Sequence, residues 1–208
     1  MTYNQTMTSK TQTLKGFRDF LPTKIPKNTR VGVFIDEANL FYIQRELGWK
    51  IDWKKFRLLL KKNLIIENLR YYLGMPQSGE PLIKNKKIKI RLESLGYNVI
   101  TKPLKKIYVD NKKTIFKYKC NFDVEIALDV SQSLDKLDLI IIVSNDSDFI
   151  ALKNYVLKQK KKFVFICFER KIAWEIRNSK HIFLESFREF LDYNQTKPRH
   201  KAGAELPR

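Results

Sequence analysis

The sequence contains little cysteine and little histidine, which limits the kinds of site that it can build. Its 208 residues include two cysteines, Cys120 and Cys167, and two histidines, His181 and His200. The cysteines lack paired-motif spacing and the histidines lack cysteine neighbours, so neither a disulfide framework nor a zinc site is indicated. Seven glycines and seven prolines are also too few for a repeat or fibrous protein.

Long hydrophobic runs are missing as well. No apolar run approaches the roughly 20 residues that span a bilayer. The N-terminal stretch MTYNQTMTSKTQTLKG is polar and lacks the apolar segment of a signal peptide. Together with the low cysteine content, these absences predict a soluble protein in the reducing cytoplasm, without a membrane partner.

Negative charge is scarce relative to positive charge. The chain has 41 Lys and Arg against 22 Asp and Glu, which gives a formal net charge of +19. Such an excess only adds self-repulsion unless the protein meets a polyanion. Nucleic acid is therefore the leading prediction for the partner. A lysine-rich surface without a specific partner and an anionic membrane surface are the alternatives.

What the sequence does contain is a regular alternation of short apolar runs with segments of helical periodicity. This alternation predicts an α/β fold with a mostly parallel sheet covered by helices on both faces. The lysine-rich segment at residues 105–119 alternates around DNKK, which predicts a basic hairpin at the edge of the sheet. We expect one domain at residues 29–193 between a basic N-terminal arm (1–28) and a C-terminal tail (194–208). An aromatic island at residues 16–21 predicts a docking segment and leaves a homodimer open.

Two expectations concern the apolar faces of helices. In the predicted helix NFDVEIALDVSQSL, the spacing places Val124, Ala127 and Leu128 on one side. Trp53 and Trp174 lie on apolar helical faces, which predicts that both belong to the core rather than to a binding surface.

Several acids fall where predicted strands end. Asp36 closes the predicted strand RVGVFID, and Asp146 and Asp148 follow the predicted strand LIIIV. The carboxyl ends of parallel strands form one rim, and Asp123, at the start of the preceding helix, could reach it. Clustered carboxylates raise each other's pKa unless a cation neutralises them, and Mg²⁺ or Mn²⁺ prefers such oxygen ligands. A single acid of this kind is simply a helix cap, but four together predict a metal site.

Other acids are assigned lesser roles. Asp129 lies roughly 240° around a helix from Asp123, so we expect it to support the site without sharing its metal. Asp135 and Asp138 flank the start of a strand at the opposite end of the sheet, and Glu37 is expected to turn away.

The basic segments predict how a nucleic acid would be held. Tyr108, Phe116 and Tyr118 are interleaved with lysines, a combination that suits single-stranded nucleic acid. Lysines that protect an edge hairpin from aggregation would give the same pattern. The predicted contacts are Lys105, Lys106, Lys112, Lys113, Lys117 and Lys119, with Arg170 and Lys171 lining the phosphate path.

Three motifs carry a resemblance to a known family. VFIDEANLF, FDVEIALD and IIVSNDSDFIAL, in this order, resemble the NYN domain family and specifically its LabA-like branch, which belongs to the PIN-like nuclease fold. The resemblance covers roughly residues 30–190. In three places the chain departs from the pattern that such proteins often show, because Glu37, Asn121 and Asn145 stand where a glycine is common.

The resemblance implies a Rossmann-like, three-layer α/β/α domain with a divalent-metal site and ribonuclease activity, usually endonucleolytic. By motif position, the metal ligands would be Asp36, Asp123, Asp146 and Asp148, and Asn39 would join them in the catalytic set. Ser144 would support the loop or contact phosphate.

Three functional hypotheses follow. The first is a ribonuclease that hydrolyses RNA through a metal-activated water. The second is an RNA-binding or regulatory adaptor that keeps the fold without turnover, which the altered loops motivate. The third, disfavoured because the net charge would serve no purpose with a small substrate, is a phosphatase or receiver-like domain that uses Asp36 as nucleophile or phosphoacceptor.

Overall fold

The computed structural model describes residues 17–62, 64–108 and 116–193. The strands are β1 (Arg30–Asp36), β2 (Ile65–Met75), β3 (Asn98–Pro103), β4 (Lys105–Tyr108), β5 (Phe116–Lys119), β6 (Leu139–Val143), β7 (Lys162–Cys167) and β8 (His181–Phe183). The helices are α1 (Glu37–Leu47), α2 (Trp53–Lys61), α3 (Gly79–Ser94), α4 (Asp123–Ser133), α5 (Phe149–Lys158), α6 (Trp174–Arg177) and α7 (Arg188–Leu191).

Six of the strands form one sheet in the order β3-β2-β1-β6-β7-β8, and every neighbouring pair is parallel. The central strands β1, β6 and β7 are almost entirely buried. Their sequences are continuous apolar runs because both faces of a parallel sheet are covered by helices. The predicted α/β fold with a mostly parallel sheet is confirmed.

Side chains alternate between the two faces of this sheet and build two cores. In β1, Val33 and Ile35 join a core that includes residues of α1, α2 and α7. Phe34 points the other way, into a core with Ile126 of α4 and Phe149 of α5. The result is a three-layer arrangement of helices, sheet and helices.

The ends of the first helices follow the capping rules that their sequences predict. Gly48 has φ 61° and ends α1 in the left-handed conformation that glycine adopts without strain. Asp52 caps α2, because its side chain accepts hydrogen bonds from the backbone N–H groups of Lys54 and Lys55 at 3.0 and 3.2 Å.

The predicted basic hairpin is present, but it pairs only with itself among the described strands. β4 and β5 form a separate two-stranded antiparallel ribbon in which Lys105 faces Lys119 and Tyr108 faces Phe116. It begins directly after the edge strand β3, where the Leu104 N–H donates to the Met75 carbonyl at 2.8 Å. Its turn, residues 109–115, lies outside the described residues.

The predicted burial of Trp174 is wrong, and the apolar side predicted for α4 is not the side that its buried residues occupy. Val124 and Leu128 of α4 are exposed, and the buried side chains of that helix are Ile126 and Val130. Both pairs have i, i+4 spacing, so α4 carries two apolar stripes and periodicity alone does not tell which one faces the sheet. Trp174 is also exposed, because the buried position of the four-residue helix α6 is Ile176.

The aromatic island packs on its own domain. Residues 17–20 form a single 3₁₀ turn, and the Phe17 and Phe20 rings lie with their centroids 5.7 and 4.7 Å from that of Phe187. Residues 1–16 of the predicted arm and the predicted tail, 194–208, lie outside the described residues. In the part of the chain that is described, no helix is long and apolar enough to cross a membrane.

Candidate metal centre

The candidate site lies at the carboxyl ends of β1 and β6, in the middle of the sheet. Strand order reverses direction between these two strands, and such a switch point is where ligands bind in open α/β sheets. Ile35 is in register with Val143, so the next residue of each strand, Asp36 and Ser144, emerges at the same level.

Three carboxylates converge above this point. Asp123, Asp146 and Asp148 each offer one oxygen, and these oxygens lie within 4.8 Å of one another. We call these three residues the acid triad. Asp123 and Asp146 are half-buried and Asp148 is exposed, so the triad opens to solvent. Among the described residues, the structure thus brings together three of the four predicted metal ligands.

Helix capping does not account for the triad. Asp148 precedes α5, but its side chain makes no capping hydrogen bond. At the start of α4, the Asp123 N–H donates to the Asn121 side-chain oxygen at 2.8 Å, so the carboxylate of Asp123 is not the cap. Asp146 accepts from the Asp148 N–H at 3.0 Å through one carboxylate oxygen.

The electrostatics of Asp123 show the repulsion within the triad. Burial raises the pKa of this carboxyl above its ordinary value, and the negative charges of Asp146 and Asp148 raise it further. The hydrogen bond with Asn121 and the positive charge of Lys119 act in the opposite direction. A cation held between the three carboxylates would relieve this repulsion.

Asp36, the fourth predicted ligand, lies outside this group of three. It is buried and caps α1, where its side chain accepts from the Asn39 N–H at 3.4 Å and from the Ser144 hydroxyl at 3.0 Å. Burial raises the pKa of Asp36 to about 6 against the effect of these hydrogen bonds, and the charges of Asp123 and Asp146 add to the rise. Asp36 therefore borders the triad from beneath.

Ser144 and Asn39 hold the loop that carries Asp146. Ser144 is fully buried, and its hydroxyl also accepts a hydrogen bond from the Asp146 N–H at 3.1 Å. The Asn39 side-chain oxygen accepts from the Asn145 N–H at 2.8 Å. Of the two roles predicted for Ser144, these hydrogen bonds correspond to support of the loop, and Asn39 bonds to the backbone of the same loop.

Asn145 is a structural residue of the site that the sequence did not reveal. Its side-chain amide donates to the carbonyls of Phe168 and Arg170 at 2.7 and 3.1 Å, and its side-chain oxygen accepts from the Phe168 N–H at 2.8 Å. These bonds tie the end of β6 to the end of β7. The one signal in the sequence was an amide residue at a position where the resembling family often has glycine.

Three of the acids that were predicted to lie outside the metal site form hydrogen bonds or ion pairs elsewhere in the domain. Asp129 accepts from the Tyr72 hydroxyl at 2.6 Å and forms an ion pair with Arg70, so it fastens α4 to β2. Glu37 accepts from the Tyr71 hydroxyl, and burial raises its pKa to about 7. As predicted, Asp138 lies at the far end of the sheet, where it pairs with Arg30.

The predicted basic contacts fall into two groups around the triad. Lys105, Lys106 and Lys119 are exposed on the ribbon, and Lys119 is the one whose charge acts on Asp123. Arg170 and Lys171 are exposed on the loop after β7, and both form ion pairs with Glu46 of α1, at 2.5 and 2.6 Å. Lys112, Lys113 and the side chain of Lys117 lie outside what the structure describes.

Comparisons with known proteins agree with this architecture. The chain is 27% identical over 168 residues to the low amplitude and bright protein LabA of Synechococcus elongatus, an alignment that covers 79% of this chain and 88% of that protein. The crystal structure of a protein of unknown function from Vibrio parahaemolyticus has the same fold, with a TM-score of 0.64 at 21% identity, and covers 81% of this chain and 99% of its own.

The sequence also matches a family model over most of the described domain. The NYN domain model matches residues 30–187, from the first strand to the aromatic contact of Phe187. This range contains the complete six-stranded sheet and the acid triad. The chain therefore belongs to the NYN domain family.

Proposed function

We propose that this protein is a divalent-metal-dependent endoribonuclease that hydrolyses RNA at the acid triad. The observation that carries the proposal is the convergence of Asp123, Asp146 and Asp148 within 4.8 Å at the switch point of the sheet. Membership of a nuclease-type family supports the same conclusion. The low cysteine content favours a cytoplasmic setting.

The donors of the triad fit Mg²⁺ or Mn²⁺. All three side chains are carboxylates, the hard oxygen ligands that these ions prefer, and the described part of the site offers no thiolate or imidazole that would favour a softer ion. Such an ion lowers the pKa of a bound water and neutralises charge on the phosphoryl oxygens. The three carboxylates would hold it.

The residues beneath the triad position it. The Ser144 hydroxyl is hydrogen-bonded both to the Asp36 carboxylate and to the backbone N–H of Asp146. The Asn39 side chain accepts a hydrogen bond from the backbone N–H of Asn145, the residue before Asp146. Because these groups are hydrogen-bonded, and Asp36, Ser144 and Asn145 are also buried, the loop that carries Asp146 is held before any substrate arrives. Preorganised ligands of this kind need no rearrangement during the reaction.

The positive surface would hold the phosphate backbone. The positive charge of Lys119 acts on the triad, since it lowers the pKa of Asp123. Lys105 and Lys106 continue the positive surface along the ribbon. Arg170 and Lys171, on the loop after β7, also form ion pairs with Glu46, which partly neutralises their charge. With a net charge of +19, salt-dependent affinity for nucleic acid is expected.

The test compares the wild-type protein with Asp146→Asn and with the matched control Asp135→Asn, which removes one exposed charge outside the triad. Labelled single-stranded RNA and single-stranded DNA are incubated with each protein in Mg²⁺, in Mn²⁺ and in EDTA. We expect metal-dependent cleavage of RNA by the wild type and by Asp135→Asn, and loss of cleavage in Asp146→Asn while binding persists. Cleavage by Asp146→Asn at the wild-type rate would exclude the triad as the active site. Salt-dependent binding without any cleavage would identify an adaptor instead.

A further inference from the structure

The ribbon of β4 and β5 has two chemically different faces. In the antiparallel register, Lys106 lies opposite Tyr118 and Tyr108 lies opposite Phe116, so these four side chains share one face. We call this the aromatic face. The opposite face carries Lys105, Ile107 and Lys119, and Lys105 and Lys119 are paired, so two positive charges lie together at the end of the ribbon next to β3 and α4.

The rings of the aromatic face are exposed although they contact one another. The ring centroid of Phe116 lies 6.3 Å from that of Tyr108 and 5.5 Å from that of Tyr118, and both pairs are oriented edge to face. Each ring is between 43% and 49% exposed. The ammonium group of Lys106 stands over the rings of Phe116 and Tyr108, 3.9 and 4.9 Å from their centroids. This contact places one positive charge in the middle of the rings.

The ribbon is also connected to the candidate metal centre. The Tyr42 hydroxyl of α1 donates to the Tyr118 carbonyl at 3.4 Å, and the exposed ring of Phe41 lies 5.4 Å from that of Tyr42. At the same end of the ribbon, Lys119 closes β5 and is followed after three residues by Asp123 of the triad. Four residues of chain span at most about 14 Å, so the backbone at this end of the ribbon lies within that distance of the backbone of Asp123.

We propose that the aromatic face is a base-stacking platform that binds single-stranded nucleic acid and leads it to the acid triad. Every nucleobase has a flat face that stacks on an aromatic ring, and the adjoining phosphates need cations of the kind that Lys106 supplies. The part concerning delivery rests on the proposed ribonuclease function, whereas the binding itself does not.

Charge decides between nucleic acid and other occupants of this face. The described residues of the ribbon include several lysines and no acid, and the whole chain is strongly positive. A second copy of the ribbon would bring like charges together, which opposes self-association. Duplexes are also disfavoured, because their bases are already stacked and are not available to the rings.

The experiment measures binding in EDTA, so that cleavage plays no part. Phe116→Leu and Tyr118→Leu each keep an apolar side chain and remove the ring, and Leu58→Ala serves as the control because it truncates an exposed apolar residue of α2. The ligands are a fluorescein-labelled oligouridine and an abasic phosphodiester strand of the same length. We expect each ring variant to lose about tenfold in affinity for oligouridine, with unchanged affinity for the abasic strand. Leu58→Ala should bind both strands as the wild type does.

A second variant tests the role of the cation. A plot of log affinity against log salt concentration has a negative slope, and Lys106→Gln should make this slope shallower by about 0.7, the value for one phosphate contact with a single strand. The ring variants should leave that slope unchanged. If both ring variants bind oligouridine as tightly as the wild type, the platform does not exist, even if the triad cleaves RNA. Conversely, if the ring variants lose affinity and no variant or condition gives cleavage, the platform stands and the ribonuclease proposal fails.

Discussion

At the scale of single residues, the site depends on polar groups that lie behind the acids, and all of them except the half-buried Asn39 are buried. Asp36, Ser144, Asn39 and Asn145 make hydrogen bonds with one another or with the loop backbone, and none of these bonds involves the triad carboxylates. Groups of this kind are costly to disturb, because a buried donor or acceptor that loses its partner keeps its desolvation penalty.

Asn145→Ala tests the most connected of these residues. The change leaves the Phe168 N–H and the carbonyls of Phe168 and Arg170 without their present partners. We expect the free energy of unfolding to fall by about 2 to 3 kcal/mol. Urea denaturation followed by circular dichroism measures this loss. The control Asn178→Ala, in an exposed position after α6, should change it far less.

The sequence predicted the acids of the site better than their supports. Acids that follow apolar strands are visible as a pattern, because parallel strands end on one rim. The roles of Ser144 and Asn145 depend on which way each side chain points and on the distance between β6 and β7, and neither quantity is encoded in local spacing. The same limit applies to Asp36: the sequence places it on the rim, but not its burial beneath the triad or its hydrogen bonds with Asn39 and Ser144.

At the scale of elements, β1 and β6 are joined at both ends. One connection is the Ser144 bond to Asp36, and the other is Arg30 with Asp138 at the opposite end of the sheet. Arg30 donates to Asp138 through its guanidinium group and through its backbone N–H. These hydrogen bonds lower the pKa of Asp138 to about 2.

This depressed pKa predicts an acid-sensitive contribution to stability. A carboxyl whose pKa is lower in the folded state stabilises the fold above its unfolded pKa, near about 4, and this contribution is lost as the pH falls towards about 2. Asp138→Asn should therefore have a lower free energy of unfolding than the wild type at neutral pH. Between about pH 4 and pH 2, its free energy of unfolding should fall less than that of the wild type. Urea midpoints measured at several pH values check the difference. Asp135→Asn, with its exposed side chain, should follow the wild-type pH profile.

Strands were easier to predict than the faces of helices. The central strands are short, continuous apolar runs rich in β-branched residues, the pattern of strands buried on both faces of a sheet. In α4, by contrast, two apolar stripes compete, and the one formed by Ile126 and Val130 faces the sheet. The exposed stripe, Val124 and Leu128, has no property in the sequence that distinguishes it from the buried one.

At the scale of the whole molecule, a metal bound at the triad should stabilise the fold. A ligand that binds only the folded state, present at ten times its dissociation constant, adds about 1.4 kcal/mol, which corresponds to roughly 3 to 6 °C in the melting temperature of a chain of this size. We expect Mg²⁺ or Mn²⁺ to produce such a rise in the wild type and in Asp135→Asn. In Asp146→Asn the rise should be absent, because one ligand is lost. Differential scanning calorimetry with and without the ion measures it, and an equal rise in all three proteins would place the metal elsewhere.

The contact between Phe17 and Phe187 also has a consequence for biosynthesis. Phe17 is fully buried, and its aromatic neighbour lies roughly 170 residues later in the chain. A ribosome adds about 5 to 20 residues per second, so the segment that carries Phe17 waits roughly 10 to 30 s before Phe187 has been made. During that interval the side chain of Phe17 lacks its aromatic partner and stays accessible to chaperones.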